Sequence, residues 1–188
     1  MVGWMIGSQR PAAGPPAAPA AAAAPAPASG QAPQGQSRAL DEARAGALAA
    51  RASAEPQNAA VRTELGNVYF DADRFDDAIG WYEDSLRLDP RNPDVSTDLG
   101  IAFYYTNQAD RALAQFDQSL RIDPAHTKTL LNQGIVLAFA KQDLDAAAKS
   151  WERVVELAPD SPEGQAARRA LDGLRSAHPA AGAPGGAG

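Results

Sequence analysis

Two residue types recur on one beat along the chain. Proline stands at 56, 90, 124 and 159, at spacings of 34, 34 and 35. Glycine stands at 66, 100 and 134, at spacings of 34 and 34. A beat this long is far slower than the repeat of any single helix or strand. It therefore marks a supersecondary unit that is stacked on copies of itself. Glu64-Leu-Gly-Asn-Val-Tyr69, Asp98-Leu-Gly-Ile-Ala-Phe103 and Asn132-Gln-Gly-Ile-Val-Leu137 align on the glycines. Ala78-x3-Tyr82, Ala112-x3-Phe116 and Ala147-x3-Trp151 align downstream, and Asp89-Pro90, Asp123-Pro124 and Ala158-Pro159 close the units. Gly100 to Ala112 spans 12 positions and Gly134 to Ala147 spans 13, so the third unit carries one extra residue, near Lys141–Asp143.

Each unit reads as two helices joined by a short polar turn: Asp71–Arg74, Asn107–Asp110 and Lys141–Asp143. Leu65 and Tyr69 are four apart, as are Leu99 and Phe103, which puts each pair on one helical face. In the second helix of unit one, Phe75, Ile79, Tyr82, Leu86 and Leu88 follow at mostly helical spacing. A glycine inside a helix costs about 1 kcal/mol against alanine. The three aligned glycines thus predict close backbone approach, opposite the small Ala78, Ala112 and Ala147. Each proline ends a second helix and sets up the next unit.

One helical hairpin cannot cover its own apolar face, so the stack needs capped ends. Residues 38–53 predict a helix with Leu40, Ala43, Ala47 and Leu48 on one side. Ser161-Pro162-Glu163 has the order of a helix start, an N-cap followed by proline and an acid. That closing helix runs to about Ser176, with Ala167, Ala170, Leu171 and Leu174 inward and Arg168, Arg169 and Arg175 outward. The array as a whole spans 37–176.

The flanks have a different composition. Residues 11–36 hold 12 alanines and 7 prolines in 26 positions, which predicts a disordered, extended linker. Residues 177–188 predict a disordered tail of the same kind. Residues 1–10 open with the apolar Met1–Gly7, which is too short to cross a bilayer needing about 20 residues. Two readings stand for it: a frayed start, or the remnant of a membrane anchor that begins upstream of Met1.

The aligned residues resemble the tetratricopeptide repeat, whose pattern is W-x2-L-G-x2-Y, then A-x3-F, then P in 34 residues. Three units match, at about 59–92, 93–126 and 127–161. Arg62, Ser96 and Leu130 stand where the family has tryptophan, and Gln133 replaces a leucine. The resemblance implies an all-α, right-handed α-solenoid of three helix-turn-helix units between two capping helices. It also implies a non-catalytic module that grips a peptide or helix of a partner in a concave groove, as an assembly or scaffold factor.

Residue chemistry agrees with a binding role. With no cysteine, the chain has no disulfide framework, zinc finger or thiol nucleophile. His126 and His178 have no ligand neighbour at metal spacing, and no phosphate loop or nucleophile elbow occurs, so neither enzyme, cofactor nor metal is expected. The net charge of −6 argues against nucleic acid. The acids of Asp71–Asp77 lack the turn glycine and terminal glutamate of a calcium loop and read as a solvated turn.

The resembled groove assigns partner contacts to Asn67, Phe70, Ile101, Tyr104, Tyr105, Leu131, Ile135 and Phe139. About half of these are expected to pack against the neighbouring first helix instead, Ile101 and Ile135 foremost. Family members that hold chaperone tails use a lysine- and asparagine-rich carboxylate clamp. The matching positions here carry Thr63, Asn67, Thr97, Ile101, Leu131 and Ile135, with Lys128 as the one cation among them. Residues 59–160 hold 18 acids and 10 bases. The expected partner is therefore an apolar or neutral-to-basic segment, not a carboxylate-clamp chaperone tail. Fourteen arginines against three lysines, with abundant alanine, point to a GC-rich bacterial source. The third unit is similar in style to tetratricopeptide proteins of bacterial cytochrome c assembly. A structural or self-associating envelope component is the alternative. The expected location is membrane-tethered and facing the periplasm if an anchor lies upstream, and cytoplasmic otherwise.

Overall fold

The computed structural model of the protein describes residues 39–177, and in that span every regular element is an α-helix. The expectations for 1–38 and 178–188, the linker, the tail and the anchor remnant, lie outside the described residues. Eight helices follow in order: α1 Glu42–Ala54, α2 Ala59–Asp71, α3 Phe75–Leu88, α4 Pro93–Tyr105, α5 Ala109–Ile122, α6 Thr127–Phe139, α7 Leu144–Leu157 and α8 Pro162–Ala177. The three units are α2–α3, α4–α5 and α6–α7, while α1 and α8 are the caps. Consecutive helices pack on one another, and α4 also touches α6 as α6 touches α8.

Side-chain caps fix most of the helix starts. Asp41, Asn58, Asn92, Asp143 and Ser161 accept backbone N–H bonds at the first turns of α1, α2, α4, α7 and α8, each worth about 1 kcal/mol against alanine. Within each unit the chain reverses through one residue of positive φ: Asp73 at 58°, Asn107 at 62° and Gln142 at 58°. The short polar side chains of Asp73 and Asn107 tolerate this left-handed backbone, while Gln142 adopts it in the longer turn of unit three. The extra residue of unit three lies in its turn, as the spacing predicts, since α6 and α7 are separated by 140–143.

The glycines are notches for rings. A Cβ on Gly66, Gly100 or Gly134 would come within 3.0 Å of the ring of Tyr82, Phe116 or Trp151 respectively. The close neighbour is thus the aromatic four residues beyond the expected Ala78, Ala112 and Ala147. Those alanines are fully buried too, but the ring crosses the glycine. Tyr82, Phe116 and Trp151 are among the largest fully buried side chains. The indole N–H of Trp151 is satisfied by the Leu131 carbonyl at 3.1 Å.

The caps differ in how well the sequence places them. In α8 the inward set includes buried Ala167 and Leu171, half-buried Ala170 and Leu174, with Arg168, Arg169 and Arg175 exposed, as expected. In α1 the buried face is Ala45, Leu48 and Ala52, while Ala43 and Ala47 are exposed. The register is displaced because alanines surround this helix and give no hydrophobic contrast to read.

Candidate protein-interaction surface

The expected groove residues separate into a floor and an edge. Ile101 is 1% exposed, Leu131 2% and Ile135 5%. The pairing of α4 with α6 and of α6 with α8 places the next helix over them, so these three are core, and Leu131 joins the two expected there. Asn67 is exposed, and its carboxamide oxygen accepts the Tyr82 hydroxyl at 2.8 Å. Burial pushes the Tyr82 phenol far up, so its proton stays on the oxygen and the bond holds Asn67 in one orientation.

The remaining aromatics gather where the first helices end. Phe70 meets Phe75 edge-on at 5.1 Å and Tyr105 at 5.8 Å. Phe75 and Tyr105 stack at 4.5 Å, their planes only 8° apart. Tyr104 lies 6.0 Å from Tyr105 and also packs against the two larger core clusters. Tyr104 is therefore partly structural. Tyr105 and Phe139, 38% and 40% exposed, are the large apolar side chains left open among the described residues. An exposed ring backed by a cluster of half-buried ones, as Tyr105 is, marks an interaction surface.

Phe75 belongs to this surface although its spacing assigns it to the second-helix core. As the first residue of α3, it lies beside the neighbouring unit's last turn. There a shallow cleft of about 450 Å³ is lined by Asp73, Arg74, Phe75, Asp76, Asp77, Tyr105, Thr106 and Gln108. Burial first, then Tyr104 and the Asp73 carboxylate, push the Tyr105 phenol up. Asp73, Asp76 and Asp77 line the same cleft as the stacked rings.

A second polar assembly was not legible in the sequence. Thr97, Ser119 and Thr129 hydroxyls share bonds of 2.5–3.1 Å, each at 0% exposure. His126 Nδ1 meets Thr129 at 2.6 Å, and its Nε2 meets Asp94 at 3.2 Å. Carboxylate, imidazole and hydroxyl in line resemble a hydrolytic triad. Here the hydroxyl is sealed inside the joint between units two and three, where no substrate can reach it. Thr97, expected in the groove, is a member of this joint. Unit one has a smaller version in Thr63 and Ser85, 2.8 Å apart. In unit three the same positions are Leu131 and Val154. Lys128, the expected groove cation, is held by Asp98 at 2.6 Å.

Two family models match the chain: the TPR repeat over residues 66–107 and the tetratricopeptide repeat over 97–162. The first tetratricopeptide domain of Spaghetti (RPAP3), solved bound to the HSP90 peptide SRMEEVD, is 31% identical, with a TM-score of 0.59 over 66% of this chain and 95% of that one. This chain is a tetratricopeptide repeat protein. The first such domain of human RPAP3 is 30% identical, with a TM-score of 0.57 over 66% of this chain and 98% of the other. MamA, at 20% identity and a TM-score of 0.61 over 69% of this chain and 76% of that one, shares the repeat fold. Comparison with curated proteins gives no match.

Proposed function

We propose that this tetratricopeptide array is a non-catalytic protein-interaction module and that it binds an apolar or neutral-to-basic segment of its partner. The observation that carries this reading is the half-buried aromatic cluster of Phe70, Phe75 and Tyr104 around the exposed Tyr105, with a second exposed ring, Phe139, at the matching end of α6. Asn67, oriented by Tyr82, adds a polar contact on the same first-helix series. The similar domain of Spaghetti holds an acidic peptide, SRMEEVD. In this chain Lys128 is already neutralised by Asp98, so the expected clamp position has no cation to spare for a terminal carboxylate.

The test is selection of displayed random peptides on the full chain, followed by titration of synthetic copies. Phe139→Ala, a change at an exposed ring, weakens the selected peptides while the melting temperature stays unchanged. The peptide SRMEEVD binds more weakly than they do. Tight binding of SRMEEVD, or no specific peptide at all, refutes the reading.

A further inference from the structure

The second joint of the array fills a position with its own cation that the first joint leaves empty. At the start of α5, Asp110 takes the ammonium of Lys141 at 2.7 Å, supplied by the longer turn of unit three. The matching carboxylate of unit one is Asp76, at the start of α3. It shares a cleft with the unit-two turn Thr106–Gln108, which contains no cationic residue. Both carboxylates sit in the first turn of a helix and favour its dipole. That local role is common to both, so it does not account for the cation at one and not the other.

The nearby cations are already paired, Arg74 within the cleft itself. Arg74 pairs with Asp77 at 2.7 Å and lies over the Tyr69 ring. Arg111 pairs with Glu83 at 3.1 Å and lies over Phe103 at 3.9 Å. Among the described residues neither Asp73 nor Asp76 has a cationic group within 4.0 Å. The ring content differs in step. Where the second joint has Ala109 and Phe139, the first has Phe75 stacked on Tyr105.

We propose that the first joint receives its cation from the partner: an arginine or lysine of the bound segment lies along Phe75 and Tyr105, with its charge between Asp73 and Asp76. This rests on the protein-interaction reading and names the chemistry that reading requires at one point. An aliphatic stem covers the rings, and a guanidinium stacks on an aromatic face while its edge donates to carboxylates. A second copy of the chain could present the same chemistry through the exposed Arg168, Arg169 and Arg175 of α8, and the test separates the two.

Peptides selected on the full chain are titrated against wild type, Asp73→Asn/Asp76→Asn and Tyr105→Ala, and resynthesised with citrulline for arginine or norleucine for lysine. The selected set is enriched in arginine or lysine. Each protein variant, and the neutral peptide, binds about tenfold more weakly. The neutral peptide loses nothing further on the double variant, as coupled partners require. Should the double variant fold poorly, the neutral peptide on wild type decides alone. If peptides bind but neither change matters, the cleft assignment falls and the interaction reading stands. If no peptide binds, both fall. Self-association of wild type in sedimentation, abolished by Arg168→Glu/Arg169→Glu, makes the second copy the occupant and overturns the proposal.

Discussion

Replacing Gly100 and Gly80 by alanine should move stability in opposite directions. Both glycines lie inside helices, α4 and α3, so each substitution gains about 1 kcal/mol of helix propensity. Gly80 is exposed, and a Cβ there meets nothing within 4 Å, so the gain is kept. At Gly100 the new Cβ lies 2.7 Å from Cδ1 of Phe116, and still nearer to Cε1. Carbon atoms pack at about 3.5–4.0 Å, so the ring must retreat by roughly 1 Å. Phe116 is at 0% exposure in a closed core and has no space into which to retreat. Overpacking of this kind costs about 1–3 kcal/mol, and because the ring itself has to move, the upper part of that range applies. The net expectation is a loss of about 1–2 kcal/mol for Gly100→Ala and a gain of about 0.5–1 kcal/mol for Gly80→Ala. Urea unfolding followed by circular dichroism measures both, and Phe116→Leu in the Gly100→Ala background should recover part of the loss. A Gly100→Ala midpoint at or above wild type would refute the ring-notch account.

Leu99→Ala, at a side chain 3% exposed, should cost about 2–5 kcal/mol in the same melts. Tyr104→Ala should weaken a selected peptide by about 1–3 kcal/mol and also lower the melting temperature, because its ring touches both larger core clusters; unchanged affinity removes it from the interaction surface. Thr129→Val should cost about 1–3 kcal/mol by leaving Thr97, Ser119 and His126 short of a partner, and Thr63→Val, in the partly exposed unit-one pair, should cost less. Burial raises the Asp98 carboxyl against the opposing pull of Lys128. A raised folded pKa means that the native state holds the proton more tightly, so this contribution falls as pH rises from about 3.8 through the raised value. The stability advantage of wild type over Asp98→Asn should therefore shrink between acid and neutral pH, and an advantage that grows would show the ion pair outweighing burial.

The architecture was legible because the 34-residue beat leaves few alternatives. Glycine, aromatic and proline positions each had a separate physical reason to recur. Hydroxyl side chains carry no such signal. Thr97, Ser119 and Thr129 come from three helices, and their meeting depends on how one unit is rotated on the next. That rotation also decides the surface. Ile101, Leu131 and Ile135 share the sequence positions of a groove, yet the next helix in the stack, α6 for Ile101 and the cap α8 for the other two, covers them. Phe75 looks like one more core residue of α3 until the Tyr105 ring is placed against it. Periodicity tells which residues lie on one helix face; it does not tell what the next unit puts opposite that face.

The two ends of the stack are held by side chains of different size, and this gives the array a direction of failure. The face of α1 is two alanines around Leu48, set on Val61, Leu65 and Val68. At the other end α8 puts Ala167, Leu171 and Leu174 into the cluster that contains Trp151. In a nearest-neighbour stack, opening starts at the weaker terminal interface and travels inward. Amide protons of α1 should therefore exchange first and those of α2 next, while α7 and α8 remain protected. Unzipping from that side leaves the α6–α8 block and its apolar cluster intact, and it reaches the Phe75–Tyr105 cleft before it reaches the hydroxyl joint. A partner bound across the first joint would clamp the array just inside its weakest end, slowing exchange most in α2 and α3.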